Sequence, residues 1–364
     1  MEKSKLNIAL AHDSLTQLGG AERVLEALHE LYPDAPVFIL VLDKKLKLKY
    51  KDWDIRTSWL QILYNVFPKL KYFLPLIPFA VSSFNFDGYD LVISSSSGFI
   101  KNISLPKNGI HINYCHTPAR FLWSEPEYIN QEVPRLIRPI AKLCVNLVKK
   151  WDYKGAQRVN CIISNSVEVQ KRIKLYYNRD SEVIYPFVDI GFWNKTIEKK
   201  DYFLLAGRLQ AHKKNDIIVE VFNELGLPLH VVGVGRQQEY LKSIAMKNIV
   251  FLGKVSDQQL RNEYSGALGY VYPQIEDFGL MPLEADACGT ASLAFGKGGS
   301  LETIISGVTG EFFHSYDKEE IKKAVLSWDS KKYQGINLRN QAEKFSKEAF
   351  KQSFSDLINK RVSI

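Results

Sequence analysis

The chain has 364 residues, of which 46% are hydrophobic and 24% charged, with a formal net charge of +8. That length asks for about two domains, and that balance excludes a disordered chain, a collagen-like chain and a small disulfide scaffold. The four cysteines, Cys115, Cys144, Cys161 and Cys288, form no C-x-x-C pair, so neither a zinc site nor a disulfide framework is expected. In chain order, LNIALAH reads as a buried strand too short and too soon charged to be a secretory signal. Residues 21–31 follow as an amphipathic helix. APVFILVL, YDLVISSS, IHINYCH and CIISNS are further strands. The apolar run from Phe73 to Val81 has nine residues and cannot cross a bilayer. The pattern thins over 186–200 (PFVDIGFWNKTIEKK) and restarts with YFLLAGR, a helix from Asn215, LHVVGVG, a helix from Gln237, IVFLG, a helix from Asp257 and LGYVYP. Strands separated by helical patterns predict parallel sheets. The expectation is an α/β protein of two Rossmann-like, doubly wound domains, 1–185 and 201–346, joined by a linker at 186–200. A last helix starts near Lys347. A cytoplasmic location is the default expectation.

The charge is uneven. Up to Tyr185 there are 25 Lys+Arg against 18 Asp+Glu, and the remainder has 23 against 22. Within the first half, Arg135, Arg138, Lys142, Lys149, Lys150, Lys154 and Arg158 face Asp152 alone, while Ile137, Ile140, Ala141, Val145 and Val148 recur at helical spacing. Such a helix either lies on an anionic membrane surface or packs on the core with a solvated basic face. The aromatic and aliphatic stretch from Trp59 to Phe84, punctuated by Lys69 and Lys71, is likewise either core or a segment that dips into lipid. No zinc-finger, RNP or helix-turn-helix pattern supports a nucleic-acid partner.

In open α/β sheets, ligands sit beyond the carboxyl ends of strands, and several chemistry-bearing residues fall there. His12-Asp13 follows the first strand, and Gly19-Gly20 precedes a helix, where free N–H groups and the helix dipole favour a phosphate. A plain turn is the alternative. His116, in YCHTPARFLW, can donate to substrate oxygens or serve as a satisfied structural histidine, and Arg120 adds a cation. AGRLQAHKKND puts Arg208 and Lys213 after the first strand of the second domain, as a diphosphate clamp or as an exposed pair with Lys214.

The most informative segment is PQIEDFGLMPLEADACGTASLAFGKGGSLET. Pro282 suits the first turn of a helix, which places Glu276 in the preceding loop and Glu284 in the opening turns. The backbone at Phe278 and Gly279 is then available to a sugar. Carboxylates in these two places can grip vicinal diols. A glycosidase acid/base pair is the other reading, but such carboxylates usually come from separate strands. Two look-alikes are discounted. Gly233 and Gly235 lack the third glycine and the following acid of a dinucleotide fingerprint. Asp52-Trp53-Asp54 lies in a lysine-rich stretch and reads as a surface turn rather than a metal-binding D-x-D.

Taken together, these segments resemble glycosyltransferase family 4, the retaining nucleotide-sugar enzymes of GT-B fold, over nearly the whole chain. GGAERVLEAL is similar to the family's N-terminal glycine motif and GRLQAHKKND to its Arg/Lys diphosphate motif. EDFGLMPLEADACG carries its E-x7-E signature as Glu276 and Glu284. His12-Asp13, YCHTPARFLW and FGKGGSLET are similar to bacterial O-antigen and exopolysaccharide mannosyltransferases. Asp286 stands where Met is usual in the family and Ala291 where Pro is usual.

The resemblance implies two domains flanking a cleft, with the helix at about 347–364 packed back on the first. It assigns Gly19 and Gly20 to the donor phosphates or the acceptor, and His116 to the transferred sugar near its diphosphate. Arg208 and Lys213 would meet the leaving diphosphate. Glu276, with Phe278, Gly279 and Leu280, would hold the sugar and Glu284 the ribose. His12, Asp13 and Arg120 would be acceptor-side groups. It implies no metal and no other cofactor. The implied partners are a nucleotide-sugar, GDP-mannose first, and a lipid-linked or lipopolysaccharide glycan acceptor. Peripheral contact with the inner membrane face is implied with them. A UDP-sugar donor, an inactive sugar-nucleotide-binding protein and a dinucleotide-dependent oxidoreductase stay as alternatives.

Overall fold

The computed structural model describes residues 6–105, 108–124, 133, 135–195 and 197–362. Of the positions singled out above, the side chains of Lys71 and Ile137, and residues 196, 363 and 364, lie outside the described residues. The chain divides into two units, one comprising residues up to Tyr185 and from Lys351 onward, the other Pro186–Phe350.

In the first unit, β1 (Ile8–His12), β2 (Val37–Ile39), β3 (Ile55–Thr57), β4 (Leu91–Ser96), β5 (Ile110–Cys115), β6 (Cys161–Ser164) and β7 (Glu182–Val183) pair in parallel in the order β3-β2-β1-β4-β5-β6-β7. β1 and β4 are buried along almost their whole length, as strands covered by helices on both faces must be. β1 has β2 on one side and β4 on the other, so the strand order reverses there, and His12 lies directly opposite Ser95. One core cluster joins Ala9, Phe38, Leu60, Ile77, Val92, Ile100 and Val148.

The second unit contains β8 (Phe203–Ala206), β9 (Leu229–Val232), β10 (Ile249–Gly253), β11 (Gly269–Tyr272), β12 (Ser292–Phe295) and β13 (Gly310–Phe313). They pair in parallel in the order β10-β9-β8-β11-β12-β13. Its reversal point lies between β8 and β11. The first part of the stretch read as a linker is built into this unit. Val188 donates to the Phe345 carbonyl, Ile190–Trp193 is a short helix capped by Asp189, and Trp193 is buried. Apolar side chains at 187, 188 and 193 give that segment a reason to pack despite its lack of periodicity. The last helix, Lys347–Val362, continues into the first unit, where Lys351 bonds Glu30 and Arg361 pairs with Glu182.

The helix Arg138–Arg158 packs on the core along one side only. Val148 and Val145 join the core, but Ile140, Leu143 and Leu147 are exposed at helical spacing, and Leu136 just before them is 93% exposed. Ile62, Val66, Phe67 and Phe79 of the Trp59–Phe84 stretch are exposed as well. No helix among the described residues is long and apolar enough to cross a membrane.

Candidate functional site

In the first unit the last residue of β1 and the residue after β5 are tied together through β4. His12 Nδ1 lies 3.1 Å from Ser95 Oγ, and His116 Nε2 lies 2.8 Å from the same oxygen. All three residues are buried. Burial pushes the His116 imidazole down to about 3, helped by His12. It lowers His12 too, with Asp13 and Ser95 pulling the other way. Both rings are therefore neutral near pH 7 and act through hydrogen bonds. A parallel chain runs through the neighbouring positions. Ser94 Oγ meets His111 Nε2 at 2.7 Å, and Asn113 donates to both Ser94 and Ser96.

The Asp13 carboxylate accepts from four backbone N–H groups, those of Ser97, Gly98, Phe99 and Ile100, at 2.7–2.9 Å. It shapes the loop after β4. Arg120 opens the helix Arg120–Trp123, four residues after His116. Gly19 is the cap residue of the helix Gly20–Leu31. Glu22 in the first turn is buried and its carboxyl is raised by burial, against hydrogen bonds from the backbone of Glu22 itself and of Gly19. A carboxyl group thus already addresses the helix start where a phosphate was expected. Behind these residues, Asp152 is fully buried and pairs with Lys101, while Trp123 Nε1 and Tyr177 Oη donate to it at 2.9 and 2.8 Å.

In the second unit the loops after β8 and β11 meet across the reversal point. Lys213 is 2% exposed and its ammonium pairs with the Glu276 carboxylate, 63 residues away in sequence. Lys213 ends a 3-10 turn, and Lys214, at φ 57°, redirects the chain into the helix Asn215–Leu225. Arg208 is exposed, and Asn215 reaches its carbonyl at 3.5 Å. Phe278 and Gly279 are buried just ahead of the helix Leu280–Ala287, whose cap residue is Gly279 and whose first residue is Leu280. Glu284 lies within that helix and is buried, while Glu276 stays in the loop before it.

Three glycines support these loops. A Cβ on Gly233, at φ +127°, would fall 1.8 Å from the Gly207 carbonyl oxygen, and one on Gly235 would fall 2.1 Å from that of Leu209. The discounted fingerprint glycines therefore let the loop after β9 press against the loop that carries Arg208. Gly299 donates to the Glu276 carbonyl at 3.0 Å, and a Cβ there would strike Phe278 at 2.2 Å. These contacts, and the roles of Ser95 and Glu22, went unread in the sequence. The run Ser94–Ser97 at the end of an apolar strand was the available signal, since buried hydroxyls need partners.

The discounted D-x-D is an exposed turn in which Asp54 takes a bidentate contact from Arg56. Among the described residues, no group of three or more His, Cys, Asp or Glu could hold a metal ion.

Residues 190–352 match the family model described as "Glycosyl transferases group 1". The protein is a glycosyltransferase with a group 1 domain. The glycosyltransferase is 21% identical over 325 residues to the alpha-1,3/1,6-mannosyltransferase ALG2 of Dictyostelium discoideum, covering 75% of this chain and 76% of that one. It is 30% identical over 148 residues to the O-antigen chain mannosyltransferase RfbU of Salmonella typhimurium, covering 37% and 42%. Among solved structures it is similar to Anabaena Alr3699/HepE in complex with UDP, with a TM-score of 0.70 at 16% identity over 98% of this chain and 100% of that one. The two parallel-sheet units of the glycosyltransferase are those of the GT-B fold.

Proposed function

We propose that the enzyme is a retaining family 4 glycosyltransferase that moves mannose from GDP-mannose to a lipid-linked or lipopolysaccharide glycan. The sugar is supported by the mannosyltransferase names of both relatives. In this reading the second unit takes the donor. Arg208 and Lys213 neutralise the leaving diphosphate, so that no metal and no other cofactor is required. Glu276, with the backbone at Phe278, Gly279 and Leu280, holds the sugar hydroxyls and Glu284 the ribose. The Lys213–Glu276 pair is the observation that carries this assignment, because it sets a cation for phosphate against an acceptor for hydroxyls at one strand-order reversal. His116, neutral, contacts the transferred sugar by hydrogen bonding, and Gly19, Gly20, His12, Asp13 and Arg120 line the acceptor side. The acceptor hydroxyl attacks from the face the diphosphate leaves, and catalysis is mainly positioning and electrostatic stabilisation.

The same proposal places the enzyme peripherally on the inner membrane face. The exposed Ile140, Leu143 and Leu147 on a helix that carries Lys142, Lys149, Lys150 and Lys154 support it, since apolar insertion and anionic headgroups would both be met. Flotation with anionic liposomes should show binding that salt weakens. Absence of binding would remove this part of the proposal.

A UDP-sugar donor is the second reading, favoured by the similarity to a UDP complex. Thermal unfolding with GDP, UDP, ADP or CMP, each without metal, separates the two. A nucleotide at about 100 times its dissociation constant stabilises by about 2.7 kcal/mol, a shift of several degrees. A shift with GDP alone supports the mannosyl reading. A shift with UDP alone transfers the same site to a UDP-sugar, and no shift with any of them overturns the donor assignment.

A further inference from the structure

We propose that Ser95 is a positioning residue that couples the tautomers of His12 and His116. The Ser95 hydroxyl has a single hydrogen and stands between His12 Nδ1 and His116 Nε2, at 3.1 and 2.8 Å. Each neutral ring carries one N–H. Two arrangements satisfy all three groups. In one, Ser95 donates to His116 Nε2 and accepts from His12 Nδ1–H. His116 then carries its proton on Nδ1, and His12 Nε2 is a bare acceptor. In the other, His116 Nε2–H donates to Ser95, which donates to His12 Nδ1. His116 Nδ1 is then bare, and His12 carries its proton on Nε2.

Any mixed arrangement leaves a ring nitrogen without a hydrogen or turns the hydroxyl hydrogen away from both rings. Ser95 is wholly buried, so water does not stand in for the missing partner. Passing between the two arrangements brings one proton in at His12 Nε2 and releases one at His116 Nδ1, with no change in net charge.

The coupling deepens the proposed function and rests on it for its consequence. His116 can donate through Nδ1 to a sugar or diphosphate oxygen only in the first arrangement. That arrangement is the one in which His12 Nε2 can accept from a hydroxyl. A hydroxyl bound at His12 therefore favours the donating form of His116. The register of the sheet makes this possible, because Ser95 lies directly opposite His12 while the loop after β5 brings His116 to the other side of the same oxygen.

Nitrogen NMR of histidine-labelled protein tests the coupling without any substrate. His12→Phe should shift the tautomer populations of His116 when Ser95 is present and leave them unchanged in a Ser95→Ala background. No shift with Ser95 present, or an equal shift in both backgrounds, overturns the proposal. In transfer assays Ser95→Ala should lower kcat at least tenfold while the donor KM moves less than twofold, and an unchanged kcat would overturn the catalytic consequence. The nucleotide thermal shifts report on the donor reading separately, so coupling can hold where that reading fails.

Discussion

Each unit reverses its strand order beside its first strand, between β1 and β4 in one and between β8 and β11 in the other. The first fills that point with a neutral, buried chain from His12 through Ser95 to His116. The second fills it with the ion pair of Lys213 and Glu276. A neutral hydrogen-bonded chain satisfies itself and offers a fixed geometry. An ion pair holds two charges that a charged ligand can take over, since each partner can exchange one compensating charge for another. One topology thus supports a rigid polar platform in one unit and re-partnerable charges in the other.

The sharpest way to break the contrast is to put an uncompensated charge into the first unit. Asp152→Ala strands the buried Lys101 ammonium and removes the acceptor of Trp123 and Tyr177. It should cost about 3–5 kcal/mol in urea unfolding. A loss under about 1 kcal/mol would mean that this unit tolerates charge as the other does.

Next, Lys213→Ala should lower kcat by about 10²–10³, or about 2.7–4 kcal/mol in the barrier, by analogy with removal of a preorganised charge-stabilising donor. Glu276→Gln should also abolish transfer, yet bind the free nucleoside diphosphate more tightly, because Lys213 no longer has a competing carboxylate. Calorimetry showing equal or weaker binding would say that the pair does not need to open.

A further contrast concerns pH, where the buried histidines of the first unit and Asp286 of the second should respond with opposite sign. His111 and His116 fall from about 6.5 to about 3 in the folded state through burial, with nearby cations contributing at His111. The unfolded chain binds more protons between those values. Stability from these rings is complete above about pH 6.5 and declines toward pH 3, by up to about 1.4 kcal/mol per unit for each. Asp286 is fully buried, and among the described residues neither carboxyl oxygen has a hydrogen-bond partner. Burial holds its folded-state value well above 3.8, so it stays protonated and costs stability as pH rises above that value. Asp286→Met should therefore stabilise by about 1–3 kcal/mol at neutral pH, with a smaller gain near pH 4. A pH-independent gain in Tm would trace the effect to packing alone.

Local spacing made much of this legible. Pro282 and the spacing of Glu276 and Glu284 place one acid in a loop and the other in a helix, which is where the structure has them. The alternation of apolar runs with helical periods announced parallel sheets, and His116, Arg208 and Glu276 lie past strand ends as read, while His12, expected just after the first strand, is its last residue. These features depend on residues within a few positions of one another, where backbone geometry fixes the outcome. Periodicity was weaker on the helix Arg138–Arg158. Its apolar residues occupy two faces, and no local rule says which of them meets a core.

Only the tertiary structure decided the partners. Ser95 meets a histidine 83 residues earlier and another 21 later, and Lys213 meets a glutamate 63 residues on. Asp13 spends its carboxylate on a loop more than 80 residues away. Such pairings follow from which strands lie side by side. Strand order is set by the packing of whole helices and sheets, so short stretches of sequence do not carry it.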